Sequence, residues 1–503
     1  MTAITLPIAV TTEDVDHAAR AAHQAFLHVA TEAPSLRANR LTAVAAALRA
    51  HADELVELGQ ADTHLAPARL QGELKRTAFQ LDLFAEEVIA GIPLDATIDH
   101  ADADWGMGPR PDIRRVNVPL GVVGVFGASN FPFAFSVIGG DSASALAAGC
   151  AVLHKIHGGH RTLAVRTAEI VTEALRESGS PDHLFSVIEG RTAAEALVDH
   201  SLVKAIGFTG STAGGRALFN RASSRPEPIP FYGELGSINP VFVLPQAWES
   251  RSQSILTGYA ASFTAGMGQF CTKPGVLFVP DTYSEEDLRG VLEPELGHAA
   301  LSELLTPGLR ESFGHARDEA AAHDGVTALI PGSDDLVPAP TVLLTDSTVV
   351  AANPEILHLE MFGPATLVVR YQQPEELPGL AVLMEGQLTA SIHADDADDA
   401  ASLIDAVTGI AGRVLWNGWP TGVTVSYAQQ HGGPYPATTS HTTSVGTAAI
   451  GRFTRPVAYQ DLPDRELPVP LQEANPWNVA RRVDGNVVVA QSQSQSQSGS
   501  VEG

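Results

Sequence analysis

Cysteine is nearly absent from the 503-residue chain, which contains only Cys150 and Cys271. Two thiols cannot form a disulfide framework for a protein of this length. So few thiols also fit a protein of the reducing cytoplasm. Each cysteine therefore has to be explained by packing or by chemistry.

The chain also lacks an uninterrupted apolar run of membrane-spanning length. Its most apolar window, residues 121–140, is rich in glycine and is broken by four residues: Ser129, Asn130, Pro132 and Ser136. Residues 1–10 contain no basic side chain and only a short apolar stretch, so we expect no signal peptide. We therefore expect a cytoplasmic protein without a membrane partner.

Positive charge is scarce as well. Lysine and arginine number 31 against 58 aspartate and glutamate residues, which gives a formal net charge of -27. Such a surface repels phosphate backbones, so we expect no nucleic-acid partner. An anionic ligand must instead be held by local groups, such as a helix N-terminus or a placed lysine.

What the sequence does contain is the length of about three domains and a hydrophobic fraction of 44%, enough for a sizeable core. Three runs in the first hundred residues have helical spacing: 15–30, 35–59 and 70–90. Thr11 and Asp14 predict a capping box before the first run. Ser35 is the predicted N-cap of the second.

Strand and helix patterns alternate from residue 112 onward. The predicted strands are 112–118, 122–126, 151–155, 184–188 and 203–208, and the predicted helices are 143–148, 162–178, 193–198 and 211–222. This alternation predicts an α/β fold with a parallel, doubly wound sheet. After Gly236 the pattern restarts, with strands at 239–244, 275–279 and 366–371 and a helix at 252–263.

Cys271 is the candidate nucleophile. It follows Gly266 and Gly268, and a glycine-rich backbone permits close approach of a ligand, although a small buried hydrophobe is the alternative interpretation. Cys150, at an alanine-rich junction, is interpreted as packing. A thiol nucleophile needs a base, and Glu234 is the candidate, because burial would raise its pKa toward that of a useful base. A surface glutamate is the alternative.

Further candidates lie where predicted strands end. Asn130 follows an apolar strand, where its amide could donate to an oxyanion or simply form a turn. Gly210 and Ser211 stand between a strand and a helix, where backbone N–H groups suit a pyrophosphate, although the glycine spacing is not the usual dinucleotide fingerprint. Lys155 ends its own strand and could bind ribose hydroxyls or a 2′-phosphate, or be a solvated lysine.

In this order the motifs resemble those of the aldehyde dehydrogenase superfamily over roughly residues 10–480. The motifs are 129–132 (Ser-Asn-Phe-Pro), Lys155, 208–211 (Phe-Thr-Gly-Ser), 234–236 (Glu-Leu-Gly), 268–271 (Gly-Gln-Phe-Cys) and 360–364 (Glu-Met-Phe-Gly-Pro). The resemblance implies an aldehyde dehydrogenase-like fold, with two doubly wound α/β domains and a small bridging β-element. It also implies oxidation of an aldehyde to a carboxylate through a cysteine thioester.

The resemblance gives each motif residue a role. Cys271 matches the nucleophile, Glu234 the base that activates the deacylating water, and Asn130 the oxyanion donor. The cofactor, NADP or NAD, is matched by five residues: Lys155 at the adenosine ribose, Gly210 and Ser211 at the pyrophosphate and adenosine, Glu360 at the nicotinamide ribose and Phe362 beside the nicotinamide. No metal is expected, since the reaction needs none and the histidines lack ligand spacing.

The resemblance also implies the division of the chain. The cofactor domain is expected at 1–102 and 120–236, the catalytic domain at 237–435, and the bridging element at 103–119 and 455–490. The bridging element implies a homodimer or homotetramer. The Gln-Ser repeat at 491–503 has nothing to bury and predicts a disordered tail.

Within the superfamily, the chain most resembles the 2-oxoglutarate semialdehyde (2,5-dioxopentanoate) and NADP-dependent fatty aldehyde dehydrogenases. Residues 232–240, 431–439, 442–447 and 455–460 carry this likeness. The expected substrate is 2,5-dioxopentanoate or a related semialdehyde. One alternative is a dehydrogenase that oxidises medium- or long-chain or aromatic aldehydes with NADP. The others are a CoA-acylating dehydrogenase, which would not need the base Glu234, and a non-catalytic binding protein.

Two points of specificity stay open in the sequence. Gly158 offers no hydroxyl for a 2′-phosphate, which weakens NADP relative to NAD, while His157 and Arg161 could still contribute. Four phenylalanines near the motifs could line an apolar substrate tunnel or could be ordinary core: Phe131, Phe133, Phe135 and Phe270.

Overall fold

A computed structural model describes residues 8–489, so the predicted disordered tail lies outside the described residues. The strands are β1 (Ile8–Ala9), β2 (Ala96–Asp99), β3 (Ile113–Pro119), β4 (Val122–Phe126), β5 (Ala151–Lys155), β6 (Phe185–Ile188), β7 (Val203–Thr209), β8 (Phe231–Glu234), β9 (Val241–Val243), β10 (Val276–Pro280), β11 (Thr327–Ile330), β12 (Thr341–Asp346), β13 (Ala365–Tyr371), β14 (Gln387–His393), β15 (Ala411–Trp416), β16 (Thr454–Gln460), β17 (Arg481–Val483) and β18 (Asn486–Val488). The helices are α1 (Thr12–Val29), α2 (Pro34–Ala50), α3 (Ala52–Thr63), α4 (Pro67–Ala90), α5 (Gly140–Ala148), α6 (Arg161–Glu177), α7 (Arg191–Asp199), α8 (Thr212–Ser223), α9 (Pro245–Thr264), α10 (Glu285–Leu296), α11 (Pro307–Ala321), α12 (Ser347–Ala352), α13 (Leu377–Val382) and α14 (Ala401–Ile410). Within residues 8–489, no helix combines the length and apolarity needed to cross a bilayer.

The first sheet has six parallel strands in the order β1-β6-β5-β4-β7-β8. All five residues of β4 are buried, as expected for a strand covered on both faces. Phe126 at the end of β4 is in register with Lys155 on one side and Phe208 on the other. The residues that follow these strands therefore share one edge of the sheet, where open α/β sheets bind ligands.

The second sheet has seven strands in the order β11-β12-β13-β10-β9-β14-β15. Every neighbouring pair is parallel except β11 and β12. Separate apolar clusters cover its two faces, and Phe242 and Phe278 stack with their ring centroids 4.7 Å apart. The predicted fold class, with two doubly wound α/β units, is confirmed.

A third, five-stranded sheet has the order β16-β3-β2-β17-β18. It contains β3, which confirms the strand predicted at 112–118, and short strands from the C-terminal segment. Strand β2 pairs with β3 in this sheet. The sequence pattern of a short strand with few apolar residues does not indicate its sheet, because the sheet is decided by the strand with which it pairs.

The N-terminal helices confirm one cap and correct another. Both hydrogen bonds of the predicted capping box between Thr11 and Asp14 are present at the start of α1. The predicted run 35–59 is divided near His51 into α2 and α3. Ser35 as the N-cap of α2 was wrong, because Pro34 occupies the first turn and Ala33 is the N-cap, without a side-chain hydrogen bond.

The crossing from the first sheet to the second is fixed by Asn239. This residue is fully buried and has a φ of 57°. Its Nδ2 donates to the carbonyl oxygens of Cys271 at 2.9 Å and of Lys273 at 3.0 Å. Its side-chain oxygen accepts from two buried hydroxyls, those of Ser237 and Thr389. One side chain thus anchors the backbone that leads out of the candidate nucleophile.

We expect Asn239→Ala to destabilise the fold by roughly 2–4 kcal/mol, because it leaves buried partners without their hydrogen bonds. Asn117→Ala is the matched control, since Asn117 is half-buried and its side chain makes one hydrogen bond, to the Pro93 carbonyl. Thermal unfolding of both variants measures the difference. Equal melting temperatures for the two variants would contradict the role of Asn239 as an anchor.

Candidate active site

A left-handed turn presents Cys271. After α9, the backbone φ angles of Gly266, Met267 and Gly268 are 56°, 59° and 66°. A Cβ on Gly268 would lie 2.0 Å from the carbonyl oxygen of Gly363, so only glycine fits there. The turn therefore packs the Cys271 segment directly against the 360–364 loop, which brings two of the sequence motifs together.

The Cys271 thiol meets two buried side chains. Its Sγ lies 3.6 Å from Nε2 of His431, and the same nitrogen lies 2.9 Å from Oε1 of Glu234. Glu234 and His431 are each 1% exposed, whereas Cys271 is half-buried. The structure thus brings the two residues that the sequence singled out, Cys271 and Glu234, to a common point and adds a histidine between them.

His431 is placed by a segment that returns to the first sheet after the second is complete. The backbone N–H of Leu235 donates to the Ala437 carbonyl at 2.8 Å, which holds this segment beside β8. The hydroxyl of Ser444 donates to the other oxygen of Glu234 at 2.7 Å. Residues 431–439 and 442–447 carry part of the family likeness, but the sequence analysis assigned no role to His431 or Ser444. The two residues lie 197 and 210 positions from Glu234, so their contact with it cannot be read from the sequence.

The charge state of Glu234 differs from the sequence-based expectation. Burial does raise the pKa of this carboxyl, but attraction to His431 and hydrogen bonds from His431 and Ser444 outweigh burial. The net effect lowers the pKa, so the expectation of a raised value was wrong. The carboxylate is therefore ionised and available as a proton acceptor at neutral pH.

The pKa of the Cys271 thiol moves the other way. Burial and the negative charge of Glu234 together raise it well above its ordinary value. The thiol is consequently protonated at neutral pH and must give up its proton before it can attack a substrate.

A metal ion could in principle use the same three groups. Glu234, Cys271 and His431 each offer one ligand atom, and these atoms lie within 4.8 Å of one another. Carboxylate, thiolate and imidazole are ligands that zinc accepts. Because the three residues are far apart in the chain, their convergence could not be seen in the spacing of histidines, and the absence of a metal stays a prediction.

Asn130 follows β4 and is fixed to the turn that carries the thiol. Its Nδ2 donates to the carbonyl oxygen of Gln269 at 2.9 Å, and it is 8% exposed. The second hydrogen of this amide is left for another acceptor, such as a substrate oxygen. Nη2 of Arg69 donates to the Asn130 carbonyl at 2.5 Å and holds the loop from the other side.

The predicted nucleotide residues share one edge of the first sheet. Lys155 is half-buried, burial lowers its pKa, and within residues 8–489 its ammonium has no hydrogen-bond or ion-pair partner. Ser211 is the N-cap of α8 and accepts from the Gly214 N–H at 3.3 Å. Gly210 is tied to β8, since its N–H donates to the carbonyl of Glu234. An unpaired amine and a helix N-terminus at the same edge of the sheet fit a ribose and a diphosphate.

The 360–364 loop brings a carboxylate to the same region. Oε2 of Glu360 lies 2.6 Å from the position of a Cβ on Gly236, so a larger residue at 236 would displace it. Burial raises the pKa of Glu360, and the Lys273 ammonium partly offsets that effect. Lys273, which the sequence analysis missed, is itself buried and donates to the Met361 carbonyl at 2.6 Å. Phe362 is half-buried in this loop.

Arg161 and His157, the candidate ligands of a 2′-phosphate, already have partners within the protein. Arg161 forms a two-point ion pair with Glu189, at 2.6 and 2.9 Å. Nδ1 of His157 accepts from the Gly159 N–H. Gly158 faces open space, because a Cβ at this position would have no described atom of another residue within 4 Å. A phosphate here would have to compete with Glu189 for the arginine.

Three of the four phenylalanines near the motifs form a chain of ring contacts that ends at His431. The ring of Phe131 lies 5.1 Å from that of Phe270 and 5.6 Å from that of Phe135. Phe135 in turn lies 5.8 Å from the His431 ring. Phe133 is instead 2% exposed within the main apolar core beside the first sheet. Phe133 and Phe135 therefore belong to apolar clusters, as in the core interpretation. A substrate tunnel lined by these rings stays a prediction.

Comparison with known proteins places these features in a family. The model of the Aldehyde dehydrogenase family matches residues 2–454. The chain is 41% identical over 482 residues to an alpha-ketoglutaric semialdehyde dehydrogenase of Acinetobacter baylyi, covering 94% of this chain and 91% of that protein. It is 43% identical over 484 residues to alpha-ketoglutaric semialdehyde dehydrogenase 2 of Azospirillum brasilense, with the same coverage of 94% and 91%.

Solved structures share the fold at lower identity. Methylmalonate-semialdehyde dehydrogenase from Oceanimonas doudoroffii is 21% identical with a TM-score of 0.75, covering 90% of this chain and 92% of that chain. An NADP complex of glyceraldehyde-3-phosphate dehydrogenase from Methanocaldococcus jannaschii is 18% identical with a TM-score of 0.76, covering 90% and 95%. The chain therefore belongs to the aldehyde dehydrogenase family, and the prediction of an NAD(P)-dependent aldehyde dehydrogenase is confirmed.

Proposed function

We propose that this chain oxidises 2-oxoglutarate semialdehyde, or a closely related semialdehyde, to the carboxylate with NAD or NADP through a thioester on Cys271. The observation that carries the chemistry is the convergence of Cys271, Glu234 and His431 within hydrogen-bond reach. The substrate class is supported by relatives at 41% and 43% identity that bear the name alpha-ketoglutaric semialdehyde dehydrogenase.

In the first half of the reaction, the Cys271 thiol gives up its proton to solvent, because the thiolate is the form that attacks. The sulfur then bonds to the aldehyde carbon, and the carbonyl oxygen becomes an anion. The free hydrogen of the Asn130 amide and the backbone N–H of Cys271 stabilise that oxygen. When NAD or NADP is bound, its nicotinamide would accept the hydride from the carbon, and the acyl group would remain on Cys271 as a thioester.

In the second half, Glu234 takes a proton from a water molecule. The water oxygen bonds to the thioester carbon, and the carbon–sulfur bond breaks. The Cys271 thiolate recovers its proton from Glu234, and the carboxylic acid product loses its own proton to solvent and leaves as the carboxylate. The hydrogen bonds from His431 and Ser444 keep the Glu234 carboxylate ionised and oriented for this step.

The cofactor would lie along the shared edge of the first sheet. Lys155 would contact the adenosine ribose, and Gly210 and Ser211 at the start of α8 would hold the pyrophosphate. Glu360 would hold the nicotinamide ribose, with Phe362 beside the ring, because the 360–364 loop packs against the Cys271 turn.

We also propose the domain organisation that the family implies. It consists of a cofactor domain at 1–102 and 120–236, a catalytic domain at 237–435 and a bridging element at 103–119 and 455–490. The bridging element would join subunits into a homodimer or homotetramer in the cytoplasm. The exposed edge strand β18 supports this, since Val487 is 70% and Val488 43% exposed. An unpaired strand edge with apolar side chains is suited to pairing with another chain.

Cys271→Ala should abolish aldehyde-dependent NAD(P)H formation, because no other group can form the thioester. Cys150→Ala is the matched control, since Cys150 is fully buried and its thiol contacts the Phe453 carbonyl instead of a ligand site. Initial rates with 2-oxoglutarate semialdehyde and each cofactor test the pair. Turnover that survives in Cys271→Ala would refute the proposed chemistry.

Glu234→Gln should separate the two halves of the reaction. Without the base, hydrolysis of the thioester slows by about 100-fold or more, while the first turnover still produces NAD(P)H. Stopped-flow absorbance should show a burst equal to the enzyme concentration, followed by a slow steady state. A variant that loses the burst together with the steady state would place Glu234 in the first half of the reaction.

The reactivity of the free thiol should depend steeply on pH. Because burial and the charge of Glu234 raise the pKa of Cys271, its alkylation by iodoacetamide should continue to accelerate beyond pH 9. In Glu234→Gln the negative charge is gone, so the profile should move to lower pH. Mass spectrometry of the Cys271 peptide reports the rate, and an unshifted profile would mean that Glu234 does not control the thiol.

A further inference from the structure

Helix α4 carries a group of charged side chains that the reaction described above does not use. Arg69, Glu73 and Arg76 are spaced at i, i+4 and i+7 and therefore lie on one face of the helix. The Arg69 guanidinium lies 4.4 Å from the ring centroid of Phe270 and 5.1 Å from that of Phe131. The face thus points toward the chain of three aromatic rings that ends at His431.

Arg76 reaches the same place from one turn further along. Its guanidinium lies 5.4 Å from the centroid of Phe135, whose ring is 5.8 Å from that of His431. Phe270 is the chain neighbour of Cys271, and His431 lies 3.6 Å from the Cys271 sulfur. Each guanidinium therefore packs on an aromatic ring that borders the reacting thiol or its histidine partner.

These guanidinium groups are poorly satisfied by the protein. Arg69 makes one hydrogen bond, to the Asn130 carbonyl, and Arg76 makes one, to the Val423 carbonyl. Four of their nitrogens are buried and have no acceptor in the part of the chain that the structure describes: Nε and Nη1 of Arg69, and Nη1 and Nη2 of Arg76. Buried donors in native proteins are nearly always paired, so four unpaired donors in one place indicate a missing acceptor.

The charge on this face of α4 is positive overall, because it carries two guanidinium groups and a single carboxylate. Glu73 is the acidic side chain between the two arginines, and one of its oxygens already accepts from the backbone N–H groups of Phe133 and Ala134. Neither arginine has a carboxylate within 4.0 Å among residues 8–489. Two fully buried arginines are neutralised by a carboxylate, since Arg40 pairs with Glu32 and Arg452 with Asp141.

We propose that Arg69 and Arg76 bind a carboxylate at the far end of the substrate, so that the enzyme selects aldehydes that carry an acid group. A guanidinium presents parallel N–H donors that match the two oxygens of a carboxylate, and stacking on aromatic rings holds it in place. The proposal rests on the proposed function, because it names what the thiol's substrate must carry. It explains how a chain with a net charge of -27 can attract an anionic substrate.

The first test is a ratio of specificity constants. Wild type, Arg69→Met and Arg76→Met are assayed with 2-oxoglutarate semialdehyde and with pentanal, an uncharged aldehyde of the same carbon number. The ratio of kcat/KM for the two substrates should fall about 10- to 100-fold in each variant, mainly through KM for the semialdehyde, since charge-assisted hydrogen bonds are lost. Arg40→Met, a buried arginine paired with Glu32, is the matched control and should leave the ratio unchanged.

Arg76→Lys gives a second variant in case methionine disturbs folding. It keeps the charge but loses the two-point geometry, so its ratio should lie between those of wild type and Arg76→Met. An unchanged ratio in folded Arg69 and Arg76 variants, or an equal fall in Arg40→Met, would overturn the proposal.

The second test does not require turnover. Glutarate, a five-carbon dicarboxylate, should slow the alkylation of Cys271 by iodoacetamide in wild type and lose that effect in Arg69→Met and Arg76→Met. If wild type oxidises neither aldehyde but glutarate still protects it in an arginine-dependent way, the proposed function fails and the anion site stands. If wild type oxidises both aldehydes and glutarate protects the variants as well as wild type, the anion site is wrong and the function stands.

Discussion

The contact on which the active site depends is the hydrogen bond of 2.9 Å between His431 and Glu234. It joins the last strand of the first sheet to a segment that returns only after the second sheet has formed. A carboxylate that is 1% exposed needs such a partner, because an unpaired buried charge is costly. Cys271 reaches the same point on the turn between α9 and β10, so the site exists only where three separate parts of the chain meet.

This arrangement divides the acid–base work between the two central groups. The partners of Glu234 hold the pKa of the carboxyl below its usual range, while burial and that same carboxylate hold the pKa of the Cys271 thiol high. Reactivity is therefore limited until the proton leaves the sulfur. The half-buried Arg69 and Arg76 of α4 stack on Phe270 and Phe135, which brings positive charge to the edge of the same site.

The sequence predicted most where local pattern and structure coincide. Strands β4 and β5 were found with their observed bounds, because short apolar runs between glycines or polar residues have few other interpretations. Glu234 and Cys271 came from ordered motifs and family resemblance. Asn239, His431 and Arg76 gave no such signal, since their roles arise from contacts between residues far apart in the chain. The pKa of Glu234 was mispredicted for the same reason, because its partners were invisible.

The central claim is that Cys271 carries the acyl group and that Glu234 directs its removal. Rapid-quench mass spectrometry of the wild-type enzyme during turnover of 2-oxoglutarate semialdehyde with NAD or NADP tests it most directly. We expect a covalent adduct with the mass of the acyl group on the Cys271 peptide, which forms and decays at rates that account for kcat. Turnover without any adduct on Cys271, or with an adduct on another residue, would contradict the account.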